Sequence, residues 1–261
     1  MKYNNTYLVK IQFLGFRFHG WQKQPHLKTV HAVLDKTLKF VFVGIRFKSV
    51  GAGRTDAKVS ASLYAFQLFI DIKVSEKEFL DDFNKNSPAD MRAISLQKVS
   101  DNFNIIQHPK VKEYRYYFSY REKNHPFASP LLVSFQGDLN INLMQKASKL
   151  FEGEHYFKNY CTKPSEKTIL YRKIEACFIE RNTELVASFF PEESYVFVVK
   201  GKGFLRNQIR LMMGALVDVG KGVYDLEFIV SSLKKNNNIP FFKNIAPASG
   251  LQLADIIFNF D

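Results

Sequence analysis

The stretch Gly51-Ala52-Gly53-Arg54-Thr55-Asp56-Ala57 presents a carboxylate, Asp56, two residues after a cation, Arg54, and just beyond two glycines. Glycine permits backbone angles that other residues avoid and lets a ligand come close to the main chain. Three chemistries suit such a loop. It can be a β-hairpin turn in which Asp56 bonds nearby amides. It can cradle a phosphate, although the G-x-x-x-x-G-K-[ST] spacing is absent and Asp56 would repel the anion. It can present Asp56 as a catalytic carboxylate, with Arg54 holding the substrate.

Three further stretches hold residues of chemical interest. Gly15-Phe16-Arg17-Phe18-His19-Gly20-Trp21-Gln22-Lys23-Gln24 contains the only tryptophan. A Trp in such a turn reads as an anchor of the loop onto the core. Gln22 is polar and poorly suited to a core, which leaves it to support the Asp56 loop; His19, without an apparent Asp or Cys partner, reads as a surface residue. In Lys112-Glu113-Tyr114-Arg115-Tyr116-Tyr117-Phe118, period-2 alternation puts Tyr114 and Tyr116 on one face, Arg115 and Tyr117 on the other. Tyr116 reads as a core residue. In the segment from Lys200 to Gly214, two glycines open a predicted helix with Phe204, Ile209, Met212 and Met213 on its apolar side. Arg206 and Arg210, four apart, would share a face of that helix.

Composition narrows the class. The chain has 261 residues, 46% hydrophobic and 24% charged, as in an ordinary globular protein. No apolar run is long enough to span a bilayer, and the start at Met1 leads into a strand pattern without a signal peptide's apolar segment. Cys161 and Cys177 form no C-x-x-C pair, which points to free thiols in a cytoplasmic protein and to neither a zinc site nor a disulfide framework. The net charge of +12 favours a polyanionic partner. Residues 1–50 carry nine Lys/Arg against one acid, Asp35, whereas residues 51–100 balance seven against seven. Later cations cluster at Lys110–Lys123, at Lys158, Lys163, Lys167, Arg172 and Lys173, and at Lys200–Arg210. Aromatics, 12 Tyr and 26 Phe, are interleaved with them, as RNA binders require; Lys167 is taken as a substrate-binding candidate.

The elements that must position these residues follow from periodicity. Strands are predicted at Thr6–Leu14, Ile45–Val50, Leu63–Ile70 and Met91–Val99. A helix capped by Thr29 and a second opened by the capping-box pattern Ser75-Glu76-Lys77-Glu78 lie between them. This order, β-α-β-β-α-β, is a ferredoxin-like unit. The second half repeats it more loosely: a strand at Lys112–Tyr120, a helix at Ile141–Phe151 ended by Gly153, and at least two strands within Thr168–Lys200. Helices at Phe204–Val219 and Asp225–Leu233 and a closing strand at Leu251–Phe258 complete it. The expectation is an α+β fold of two tandem ferredoxin-like subdomains, residues 1–105 and 106–261, with antiparallel sheets and a basic cleft between them for RNA.

Read together, these segments resemble the TruA-type tRNA pseudouridine synthases. Gly53-Arg54-Thr55-Asp56-Ala57 resembles the family's nucleophile motif, and Gly20-Trp21-Gln22-Lys23-Gln24 its first motif, G-W-Q-x-Q. Tyr114-Arg115-Tyr116 resembles the Y-R-Y strand. The segment Phe204 to Gly214 matches F-[LV]-x-x-[MQ]-[VI]-R-x-[ILM]-[VM]-G, and Ala246 to Leu253 matches the closing A-x-x-x-G-L-x-L. The resemblance implies isomerisation of uridine to pseudouridine in tRNA, usually at positions 38–40 of the anticodon arm, with no cofactor or metal and usually by a homodimer. It implies Asp56 as nucleophile, Tyr114 stacked on the target base and active in proton transfer, and Arg210 paired with the aspartate. Arg54, Gln22 and Lys167 complete the expected substrate contacts. Three positions depart from the pattern: Lys58 replaces a glycine, Ser60 stands where many members have histidine, and Phe103-Asn104-Ile105-Ile106 replaces F-x-A-R, losing an arginine at Ile106. These departures leave room for a related synthase acting on another RNA, such as ribosomal RNA, or for a catalytically silent RNA-binding module.

Overall fold

In the computed structural model the described residues are 3–108, 110–235, 239 and 242–259; Met1 and Lys2 at the expected start lie outside them. Among the described residues the chain forms ten strands and five α-helices, a mixed α+β fold. It divides into two units: residues 1–110 together with 253–261, and residues 111–252. The stretch Leu253–Asp261, counted in sequence with the second half, goes with the first unit.

In the first unit β1 (Asn5–Phe13) is paired antiparallel on one side with β3 (Ser60–Ile70) and on the other with β4 (Met91–Lys98), Val9 standing opposite both Phe66 and Leu96. β2 (Phe47–Gly51) is antiparallel to β3, and β10 (Leu251–Phe258) is also β3's neighbour. α1 (Val30–Val41) forms because Val30, Leu34 and Leu38 recur on one buried face, and because the Thr29 hydroxyl accepts from the Ala32 amide, a cap worth about 1 kcal/mol. α2 (Glu76–Asn86) buries Phe79 and Phe83. The Ser75 side of the expected capping box with Glu78 does not form, Ser75 making no side-chain cap; separately, the Glu76 carboxylate accepts from the Leu96 amide of β4, 3.1 Å away. An apolar cluster gathers Leu8, Ala65, Phe103, Ile105, Ile256 and Phe258.

In the second unit β5 (Lys110–Arg121), β9 (Tyr195–Gly201), β8 (Tyr171–Arg181) and β7 (Gly153–Tyr156) are hydrogen-bonded in that order, all antiparallel. β6 (Val133–Gln136) runs parallel to β5. Neither β6 nor β7 was apparent in sequence, each being four residues long and too short to show a period. α3 (Ile141–Lys149) packs on α4 (Gln208–Gly220), and α5 (Leu226–Ser232) is capped by the Asp225 carboxylate, which accepts from the Phe228 amide at 2.7 Å. α4 is buried almost all round, as a central helix must be. Cys161 and Cys177 are buried free thiols.

Candidate active site

β2 ends at Gly51 and β3 begins at Ser60, so the Asp56 loop spans residues 52–59 between paired strands. Gly51 is required where it stands. A Cβ there would lie 2.3 Å from the Tyr64 hydroxyl and 2.5 Å from the Trp21 indole. Trp21 is buried and stacks on Tyr64, with ring centroids 4.2 Å apart, and on His31 at 4.9 Å. The Tyr64 hydroxyl donates to the Gly53 carbonyl, tying the aromatic stack to the start of the loop.

The far side of the loop is stitched to the turn at residues 15–21 by backbone groups. The Trp21 amide donates to the Thr55 carbonyl at 3.2 Å, and the Lys58 amide to the Phe18 carbonyl at 3.0 Å. The Gly15 amide donates to the buried Ser60 hydroxyl at 2.9 Å. A Cβ at Gly15 would stand 2.0 Å from the Val59 carbonyl oxygen, and one at Gly20, where φ is +80°, 2.5 Å from that of Thr55. The two glycines of the first motif therefore let the chain lie against both flanks of Asp56. Asp56 is half-buried within this clamp, and Arg54 beside it is exposed. Ser60 serves as an acceptor here, which gives a physical reason for a small hydroxyl residue at that position.

Beneath Trp21 lies a polar chain. The His31 Nε2 is 2.8 Å from the Ser49 Oγ, the Ser49 hydroxyl donates to the Asp35 carboxylate, and Lys23 pairs with the same carboxylate. Burial pushes the His31 imidazole below its ordinary 6.5, with the Asp35 charge opposing only in part, so the ring is neutral at pH 7.

In the second unit Tyr114 lies on β5 opposite Val199, buried, with Phe204 edge-on at 5.3 Å. Tyr116 is fully buried and donates its hydroxyl to the Pro247 carbonyl at 2.7 Å, as a core residue should. Burial pushes its phenol well up, and the charge of Arg210 nearby lowers it only in part. The closing segment also packs on this strand, since a Cβ at Gly250 would meet the Tyr116 ring at 2.9 Å. Arg210 is half-buried in the first turn of α4, where its Nε donates to the Ala246 carbonyl at 2.7 Å and a terminal nitrogen to the Asn207 side chain at 3.3 Å. The Ala246 amide returns a hydrogen bond to the Arg210 carbonyl.

One sequence expectation fails here. Gly201 ends β9, Asn207 adopts a left-handed φ of 59°, and α4 begins only at Gln208. Arg206 is therefore an exposed loop residue, not a helical neighbour of Arg210. The loop is held by the Gln208 side chain, which accepts from the Leu205 amide at 2.7 Å, and by the Thr162 amide donating to the Arg206 carbonyl.

The remaining expected contacts are surface residues: Gln22 in the turn after Trp21, and Lys167 in the turn before β8. Gln22 was expected to support the Asp56 loop; the support described comes from Tyr64, Ser60 and the backbone at residues 15–21. Ile106 is 56% exposed, while its neighbours Phe103 and Ile105 are buried and bridged by the Gln67 amide, at 2.6 and 3.0 Å. The Lys110 ammonium donates to the Ile105 and Ile106 carbonyls. Among the described residues no group of three or more His, Cys, Asp or Glu is arranged to hold a metal, and no helix is long and apolar enough to cross a membrane.

Comparison with known proteins adds an independent finding. A family described as tRNA pseudouridine synthase matches residues 147–259, the span from α3 through the closing strand. A tRNA pseudouridine synthase A from Dictyoglomus thermophilum is 32% identical over 256 residues, covering 95% of this chain and 97% of its own. One from Bacillus sp. strain KSM-64 is 30% identical over 259 residues, covering 97% and 100%. One from Listeria monocytogenes serotype 4a is 27% identical over 248 residues, covering 95% and 96%.

Proposed function

The chain belongs to the tRNA pseudouridine synthase A family and isomerises uridine to pseudouridine in tRNA; we propose that Asp56 is its nucleophile and that uridines of the anticodon arm are its targets. The observation that supports the assignment is the clamp on the loop that carries Asp56: backbone hydrogen bonds at Thr55 and Lys58 and the Tyr64 bond to Gly53 fix the main chain on both sides of that residue, which limits the positions its carboxylate can take. The reaction breaks the N1–C1′ bond of uridine, turns the uracil and joins C1′ to C5. N1 gains a proton and C5 loses one, so no oxidant, nucleotide or metal is consumed. A single ionised carboxylate suffices as covalent catalyst.

Tyr114 is proposed to stack on the extruded base and to take part in the proton transfer at C5. Arg210 is proposed as the counter-charge that keeps the aspartate ionised; its clamp between Ala246 and Asn207 supports a fixed guanidinium. Arg54 is assigned to the strand displaced when the base leaves its stack, and Gln22 and Lys167 to substrate contact. The tandem ferredoxin-like plan is supported by the repeated strand order, β1-β3-β2 in the first unit and β5-β9-β8 in the second. A homodimer and a cytoplasmic location complete the reading, the latter supported by the two free thiols.

The test is tritium release from tRNA labelled at uridine C5, with wild type and Asp56→Ala side by side. Release by the wild type alone, with tRNA binding retained in the variant, is the expected result. Equal release by both would remove Asp56 from the mechanism.

A further inference from the structure

We propose that a basic recess beside the C-terminal end of α1 binds phosphates of the RNA backbone, a site lined by none of the residues of the Asp56 loop. The proposal rests on the tRNA reading above and extends it to a second region of the first unit.

The recess, about 530 Å³, lies between the last turn of α1, the turn at residues 44–46 and strand β2. Lys23, Lys39, Arg46 and Lys48 line it against a single carboxylate, Asp35. That carboxylate is already engaged, accepting from Ser49 and pairing with Lys23. Arg46 is held in place by a two-pronged pair with Asp71, at 2.7 and 3.0 Å, and lies over the Tyr3 ring at 4.4 Å. Lys39 and Lys48 are exposed, and among the described residues neither has a carboxylate within ion-pair distance. With Lys23 and Arg46 offset by Asp35 and Asp71, Lys39 and Lys48 leave the recess two cations in excess, and a polyanion entering it would pair with them and release its own counterions.

The turn that makes the recess is encoded locally. Gly44, at φ +73°, reverses the chain after α1, and the Ile45 amide closes on the Phe42 carbonyl at 3.1 Å, which delivers Arg46 to the rim. Phe40 and Val43, next in sequence to Lys39 and Gly44, are 67% and 78% exposed, and an exposed ring such as that of Phe40 is a surface on which a base can stack. The cations are side-chain groups around an open recess, with no glycine-rich backbone cradle. Such an arrangement follows a phosphodiester chain and positions it without reading sequence. It also gives a role to the nine cations against one acid in residues 1–50, four of which line this recess.

The test is the Lys39→Ala/Lys48→Ala double variant of the full chain, its affinity for a full-length tRNA transcript measured over a series of salt concentrations. Beside it stands Lys77→Ala/Lys85→Ala on α2, which removes the same charge from exposed positions elsewhere in the unit. The recess variant is expected to bind roughly tenfold more weakly near 0.1 M salt, with a slope of log affinity against log salt shallower by about two. Its kcat at saturating tRNA should stay at the wild-type value. An unchanged slope in a variant that melts like the wild type would overturn the proposal. So would an equal loss in the α2 variant, which would mean general charge alone. A dimer-to-monomer change on sedimentation with the slope unchanged would hand the recess to a second copy of the chain and overturn it too. Failure of the wild type to release tritium from tRNA would overturn the isomerase reading by itself, because the slope is read without turnover.

Discussion

Lys58 holds a backbone φ of +67°, in the left-handed region that costs a residue with a Cβ about 1–2 kcal/mol. The related pattern has glycine there, and the loop has kept the glycine conformation at the expense of the lysine, whose ammonium lies 5.6 Å above the Phe16 ring. Lys58→Gly should therefore raise stability by about 1 kcal/mol, or Tm by about 2 °C, once glycine's greater chain entropy is offset against the strain; calorimetry decides it, and a lower Tm would mean that the cation–π contact outweighs the strain. Tyr64 acts at the same scale through one hydroxyl. Tyr64→Phe keeps the stack on Trp21 and removes the bond to Gly53, a bond worth about 1 kcal/mol. The expected result is a roughly tenfold lower kcat with KM near the wild-type value, since the loop loosens around Asp56 while the tRNA contacts remain; an unchanged kcat would show that the backbone bonds alone hold the loop. His31 supplies a pH dependence. Its pKa is lowered in the fold, so below the ordinary 6.5 the unfolded chain takes up a proton that the folded chain refuses. Stability from this group is complete above pH 6.5 and is lost as pH falls from there toward the folded value. Melting curves from pH 7 to 5.5 should fall less steeply for His31→Gln than for the wild type.

At the scale of elements, the motif glycines are explained by close approach of one segment to another. Gly15 and Gly20 admit the backbone of the Asp56 loop, and Gly214 admits the Asn244 carbonyl to within 1.9 Å of where a Cβ would sit on α4. Gly20→Ala should then cost stability twice, through its φ of +80° and through the Thr55 carbonyl, roughly 2–3 kcal/mol together. Urea titration should show a lower midpoint with little tritium release remaining; wild-type values for both would contradict the clamp. Most elements were legible as sequence. α1 with its Thr29 cap and the closing strand Leu251–Phe258 are where apolar period and capping chemistry place them. The start of α4 was not, because the pattern Phe204–Gly214 continues its apolar period through a loop that Asn207 and the Gln208 side chain turn out of the helix. Ser75 and Glu78 likewise had the spacing of a capping box, yet Ser75 makes no side-chain cap.

For the whole molecule, the charge excess sets the expectation. Affinity for tRNA should fall steeply with salt, and sedimentation at micromolar concentration should give a dimer; a monomer that still releases tritium would confine the whole reaction to one chain. The roles of Asp56, Tyr114 and Arg210 are what the family resemblance implies; residue types and their order were sufficient, without coordinates, to indicate a polyanionic partner and to make the Asp56 loop a candidate. Such information is local or additive: spacing along one segment, a period of two or 3.6, a sum of charges. Other features exist only in three dimensions. The clamp of residues 15–21 on residues 55–60, the stack of Trp21 on Tyr64, the assignment of Leu253–Asp261 to the first unit and the meeting of Lys23 with Lys39, Arg46 and Lys48 all join positions far apart in the chain. Each depends on which strand edges pair and which faces bury, and no local pattern encodes a choice that is made only when the sheet closes.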